Sequence, residues 1–277
     1  MRLKIYHKTN YSYSKPVFVE PQYLYMYPSF RPHIKLIDYQ IEVSPTPSGI
    51  SIRQDSEGNF YHQCWFNNIL EGIQIEMQME IESQPVNPFD FLVEQKKDRK
   101  IIGPLQLYLS NVEKLTKEMN DWLANLKLST GANIISFFSS LCAEIYSDWQ
   151  HTLRYEPHIL HPVDCYKTKE GSCRDLSWLL IQLLRNIDIP ARFVSGYSHN
   201  PELAEGHELH AWVEAWLDGS GWIGLDPSSG LFTTDQYIPV AASFSPELTL
   251  PVQGSYRGEA TSQLDTFVEI TELPLVS

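Results

Sequence analysis

The sequence predicts an α+β protein. A β-rich first domain, residues 1–85, precedes a second domain, residues 110–277, in which a cysteine-bearing helix packs on an antiparallel sheet carrying a histidine and an aspartate. Three observations lead there. Ile73, Ile75, Met77, Met79 and Ile81 alternate with Gln and Glu, as in a half-buried strand. Leu176, Leu179, Leu180, Leu183, Leu184 and Ile187 recur at helical spacing. From Leu209 to Leu217 strict alternation returns, followed by a Gly-rich turn and a second short apolar run.

In order along the chain, Leu3–Tyr13, Leu36–Val43, Tyr61–Phe66 and Ile73–Ile81 carry β-branched and aromatic residues, punctuated by Pro and Gly. Asp55-Ser-Glu-Gly-Asn59 is a turn signal between two of them. A small sandwich or sheet is the expected solution. Residues 86–109 read as a linker, with Pro88, Pro104 and a solvated charged run from Glu94 to Lys100.

Val112, Leu115, Met119, Trp122, Leu123 and Leu126 fit one face of a helix. A second helix is expected to begin at Gly131, with Ile134, Phe137, Phe138, Leu141, Ile145 and Trp149 inward. Trp149 reads as a core residue, with a cleft shared with Tyr155 as the alternative. Residues 151–171 read as loop, with His158, His161 and Cys165 in it.

Ser172 is a good N-cap, and Asp175 three positions on completes a capping-box pattern. Cys173 therefore sits at a helix start, where free amides and the helix dipole lower a thiol pKa. Pro190 ends the helix, and Arg192–Ser198 reads as a strand. In the next strand His210 shares a face with Trp212 and Glu214. Asp218–Gly221 turns the chain, and Trp222–Leu225 returns to Asp226-Pro227. Beyond Ser228 the reading is mostly coil, with a last apolar strand near Leu264–Ile270.

The chain has 277 residues and is 43% hydrophobic, enough to bury a sizeable core and too much for disorder. Its formal charge of −13 argues against nucleic acid and against an anionic membrane surface as the main partner. No apolar run approaches the roughly 18 residues that span a bilayer, and no targeting signal is recognisable. The four cysteines, Cys64, Cys142, Cys165 and Cys173, are too few and scattered for a disulfide scaffold. A cytoplasmic protein is the expectation.

A thiolate nucleophile needs a neighbouring base, and the base needs a third group to fix its tautomer. Cys173, His210 and Asp226 supply one of each, on a helix start, a strand and the end of the next strand. The oxyanion of such a reaction would be held by the Cys173 backbone N–H and a side-chain donor, Gln150 or Trp149.

Gly171-Ser-Cys-Arg-Asp175, Pro190-Ala-Arg-Phe-Val-Ser-Gly-Tyr197, Leu209-His-Ala-Trp212 and Gly221-Trp-Ile-Gly-Leu-Asp-Pro227 resemble the bacterial transglutaminase-like superfamily. Residues 1 to about 82 are similar to the N-terminal region that accompanies this bacterial group. The resemblance implies a papain-like core and a cysteine protease-like activity, with Cys173 as nucleophile, His210 as general base and acid, and Asp226 orienting it. The chain departs from the group's pattern at Ser172, at Arg174-Asp-Leu176, and at Ala242-Ser-Phe-Ser-Pro-Glu247.

The leading expectation is a cysteine enzyme that cleaves a peptide or amide bond through a thioester, with hydrolysis favoured over transfer to an amine. A protein cross-linker and an inactive scaffold of the same fold are the alternatives. A metal site at His158, His161, Cys165 and Cys173 is a weaker one, because the paired CxxC spacing of structural zinc is missing. No cofactor and no metal are expected, and no EF-hand calcium loop is present.

Overall fold

The computed structural model describes residues 1–94, 103–110, 112–131, 133–154, 156, 158–200 and 209–274. The charged run at 95–100 and Tyr155, both singled out above, lie outside the described residues.

The first region forms six strands: β1 (Arg2–Val19), β2 (Gln22–Leu24), β3 (Ile34–Ser44), β4 (Gly49–Gln54), β5 (Phe60–Trp65) and β6 (Ile69–Ser83). The alternation in β6 does what its period requires: Ile73, Ile75, Met77, Met79 and Ile81 are all buried. At the β4–β5 turn, Asp55 accepts the Glu57 and Asn59 amides, both at 2.9 Å, while Gly58 takes φ +89°.

The helical elements follow a 3-10 turn at Gly103–Leu109: α1 (Lys117–Ser129) and α2 (Ile134–Asp148). The first helix begins later than its apolar pattern suggests. Thr116 caps it, and Val112 lies outside it, exposed. Gly131 does not begin the second helix. It adopts φ +64° just past the end of α1, and Asn133 caps α2. Next come β7 (Gln150–His151), α3 (Pro162–Thr168), β8 (Glu170–Gly171) and α4 (Cys173–Arg185). The segment expected to be all loop therefore contains α3, a helix of seven residues that is too short to show a period.

The remaining strands are β9 (Ala191–Ser198), β10 (Leu209–Leu217), β11 (Gly221–Asp226), β12 (Leu231–Phe232), β13 (Tyr237–Ser243), β14 (Val252–Gln253), β15 (Tyr256–Arg257) and β16 (Ser262–Leu273). The expectation of coil beyond Ser228 is thus corrected. β13 is a buried strand of the second sheet, whose order is β12-β11-β10-β9-β13.

The last strands also depart from the expected 110–277 unit. β16 pairs with β1 from Arg2↔Leu273 to Tyr13↔Ser262, β15 pairs with the end of β1, and β14 pairs with β2. The C-terminal strands complete the two N-terminal sheets. Segment 86–94 is also no free spacer: Phe91 and Val93 pack on the core of the second half, and the Glu94 amide bonds to Asp218.

α4 lies on the β9–β10 part of the second sheet. Its Leu176, Leu179, Leu180, Leu183 and Leu184 are all buried. They meet Phe193, Ala211, Val213 and Leu225 in one core with α1 and α2. Tyr197, Ile238 and Val240 of the same sheet join Leu3, Ile5, Met77 and Met79 of the first sheet in a second core.

Candidate active site

The site begins where α4 begins. Asp175 accepts the Ser172 N–H at 2.8 Å and the Ser172 hydroxyl at 2.7 Å. Its other oxygen takes the Leu160 N–H and Arg154 Nη1, both at 2.7 Å. Burial alone would raise the Asp175 pKa, but these donors hold it below its ordinary value. One carboxylate thus ties the segment after β7 to the helix start. Cys173, half-buried, is the first residue of the helix, where backbone amides have no intrahelical acceptor.

His210 comes from β10, opposite Gly196 of β9. The Ser177 hydroxyl of α4 donates to the Ala211 carbonyl at 3.2 Å, so the helix start is fixed over this part of the strand. At the end of β11, Asp226 Oδ2 stands 2.8 Å from His210 Nε2. Asp226 is buried and fully occupied. Ser228 supplies its amide at 2.9 Å and its hydroxyl at 2.6 Å to Oδ1, and the Tyr237 hydroxyl donates to Oδ2 at 2.8 Å. Trp212 and Tyr237 flank the imidazole, with ring centroids 6.3 Å and 6.0 Å away.

The electrostatics follow from these contacts. Burial pushes the Cys173 thiol up, but hydrogen bonds with His151 and His210, the His210 charge and the Ala211 amide outweigh it and bring its pKa down to about 6. Burial would lower His210, but the Asp226 charge and hydrogen bond, with the Cys173 thiolate, raise it well above the ordinary histidine value. Burial would raise Asp226, but His210, Ser228 and Tyr237 hold it well below the carboxylate range. The favoured state is a thiolate–imidazolium pair backed by an ionised carboxylate. With Asp226 acting only as acceptor, His210 Nε2 carries the proton towards it and Nδ1 is left for the thiol.

The structure therefore brings Cys173, His210 and Asp226 together. It does not bring the two suggested oxyanion donors to the sulfur. The Trp149 indole N–H donates to the Cys165 carbonyl at 3.0 Å, and the ring is buried beneath Lys169 Nζ, 3.1 Å from its centroid. Gln150 is exposed, and adjacent residues of a strand face opposite ways, so the side chain that reaches the thiol is the next one, His151. Sequence reasoning passed over His151, Ser228 and Tyr237. Position 151 has one signal, its place beside Gln150 in the segment considered for the oxyanion.

The weaker metal reading finds a dispersed set. His161 caps α3 and lies 3.4 Å from Glu113, while Cys165 is buried and donates to the Glu170 carbonyl. Among the described residues no three His, Cys, Asp or Glu side chains form a metal-ligand group. Residues 201–208, between β9 and β10, lie outside the described residues. Among the described residues, no helix is long and apolar enough to cross a membrane.

Comparison with known proteins bears on the family and the fold. Residues 129–227 match the transglutaminase-like superfamily, and residues 3–82 match the bacterial transglutaminase-like N-terminal region. An uncharacterised protein of Mycobacterium leprae is 37% identical over 117 residues, 40% of this chain and 41% of that protein. An uncharacterised protein of Mycobacterium tuberculosis is 21% identical over 97% of this chain and 92% of its own length. A protein-glutamine gamma-glutamyltransferase of Pseudomonas aeruginosa is 36% identical over 70 residues, which is 23% of this chain and 10% of that protein. The matched stretches thus span less than half of the first and third relatives. Among solved structures, a candidate cysteine protease from Cytophaga hutchinsonii shares the fold, with TM-score 0.74 at 19% identity, over 100% of this chain and 92% of that one.

Proposed function

Because the chain belongs to the transglutaminase-like superfamily, we propose that it is a cysteine enzyme acting on the amide carbonyl of a peptide or protein, with Cys173 as nucleophile. The observation that carries the reading is the placement of Cys173 at a helix start beside His210, whose far nitrogen is held 2.8 Å from the buried Asp226 carboxylate, an arrangement that lowers the thiol pKa.

The chemistry follows from those positions. The Cys173 thiolate attacks the carbonyl carbon, a C–S bond forms, and the carbonyl π pair moves to oxygen. As the intermediate collapses, the C–N bond breaks and the His210 imidazolium gives its proton to the departing amine. A thioester remains. His210, now neutral, takes a proton from water as that water attacks, and the acid is released with the thiolate regenerated. Asp226 stays ionised throughout and keeps the imidazole in one tautomer.

Hydrolysis is the proposed outcome. Transfer of the acyl group to an amine is the second reading, and the stretch similar to a gamma-glutamyltransferase favours it. Peptide-library profiling of wild type and Cys173→Ala, with and without an amine acceptor, tests both. The expected result is Cys173-dependent cleavage and a mass-detectable acyl adduct on Cys173. Equal product from the two proteins would defeat the proposal. Amide exchange without cleavage would move it to the transfer reading.

A further inference from the structure

The thiol has two imidazoles beside it, and the reaction above uses only one. His151, opposite Gly171 in the β7–β8 pair, is the second imidazole beside the thiol and helps to lower its pKa. The geometry points to His151 as the side-chain donor of the oxyanion site, acting with the Cys173 backbone N–H; this rests on the thiol-enzyme reading of the same site.

Placement is the first argument. β7 runs parallel to β8, with His151 opposite Gly171, two residues before the cysteine. The backbone is pinned on both sides: the Gln150 amide donates to the Lys169 carbonyl at 2.7 Å and the Thr152 amide to Gly171 at 2.9 Å. Gly171 itself lies close against the helix start, since a Cβ there would stand 2.9 Å from Asp175 Cβ. His151 is held by secondary structure at the helix start, as a preorganised donor should be.

The second argument is availability. His210 Nε2 is committed to Asp226, and the Trp149 indole to Cys165. His151 is exposed, so substrate can reach it, and a neutral imidazole always carries one N–H. In the ground state that N–H faces the sulfur. When the C–S bond forms, the negative charge moves from sulfur to the former carbonyl oxygen, one bond further out. The His151 N–H and the Cys173 amide then hold that oxygen. His151 transfers no proton, and the leaving amine still takes its proton from His210.

Two reactions separate this role from a structural one. Alkylation of Cys173 by iodoacetamide needs the thiolate and forms no oxyanion. Addition of an N-acyl dipeptide aldehyde gives a hemithioacetal whose oxygen occupies the proposed site, and it is read as protection against alkylation. Both are measured, with Cys173 followed by mass spectrometry, on wild type, His151→Ala, His151→Gln and His210→Ala. The His151→Ala variant should lose about 100-fold in aldehyde affinity, with less than about tenfold loss in alkylation rate. His151→Gln, which restores an N–H donor, should return to within about tenfold of wild type. The assignment is overturned if aldehyde affinity in His151→Ala falls no further than alkylation does, if Gln is as poor as Ala, or if wild type gains no protection. The underlying thiol-enzyme reading fails by a different result: unchanged alkylation at pH 7 in His210→Ala.

Discussion

Four sulfurs in this chain are chemically unlike. Burial raises Cys64 to about 11 and Cys165 to about 12, and Cys142 is raised as well, whereas the two imidazoles bring Cys173 to about 6. Alkylation requires the thiolate. Iodoacetamide at pH 7 should therefore modify Cys173 and spare the other three, with the rate falling to half near pH 6 as the sulfur takes a proton. A midpoint near 8.5 would mean that the imidazole pair does not form. Tyr237 belongs to the same network, since its hydroxyl shares Asp226 Oδ2 with His210. Tyr237→Phe removes one donor and leaves the ring beside His210, so turnover should drop about tenfold, roughly 1.4 kcal/mol, without loss of fold. Unaltered turnover would make Tyr237 a packing residue only. Cys173, His210 and Asp226 are legible in the sequence because each needs a rare residue type at an element end or on an alternating face. Tyr237 and His151 are not. One tyrosine among fifteen carries no type signal, and a strand of two residues has no period.

α4 and β6 are legible because each buries one face of a regular element, and burial imposes the period. Leu180 and Leu183 have no exposed surface, so alanine at either should cost about 2–5 kcal/mol, measured by denaturant unfolding. Unchanged stability in both variants would contradict the packing of α4 on the sheet. β13 shows the opposite case. At the edge of its sheet it is still buried from Ile238 through Ser243, so it has no alternation, and Pro239 reads as a strand breaker. Pro239 is tolerated because the β9–β13 register shifts just past it, between Pro239 and Ala241. This crossing is tight: a Cβ on Gly196 would lie 2.2 Å from the Ile238 carbonyl oxygen and 2.8 Å from Pro239 Cα. Backbone atoms cannot swing aside as a side chain can. Gly196→Ala should cost about 1–3 kcal/mol and disturb His210, its direct neighbour in register. A variant as stable and active as wild type would show that β13 can move.

At the scale of the whole molecule, the feature hidden from the sequence is the return of the C-terminal strands to the first sheets. Pairing partners hundreds of residues apart leave no local pattern. The junction between the two halves holds polar groups as well as apolar ones. Arg31 reaches from the first region to Glu214 at 2.7 Å, and the same carboxylate takes Arg192 at 2.6 Å. More deeply placed is His7 of β1. Its Nδ1 lies 2.8 Å from the Tyr197 hydroxyl of β9, and its Nε2 lies 3.2 Å and 3.1 Å from the Thr266 and Thr9 hydroxyls. Strands from the beginning, middle and end of the chain meet on this ring. Every facing group is neutral, and burial lowers the His7 pKa to about 4. The folded form therefore binds a proton less readily than the unfolded chain, whose histidine titrates near 6.5. Stability is full above about pH 6.5, declines as pH falls, and has lost its His7 share near pH 4, about 3 kcal/mol in all. His7→Gln keeps hydrogen-bonding capacity but cannot take the proton. It should lower stability at pH 7 and flatten the slope between pH 6.5 and 4 in urea unfolding. An identical slope in wild type and His7→Gln would place the acid sensitivity elsewhere, and His7 would then be only a packed side chain between the halves.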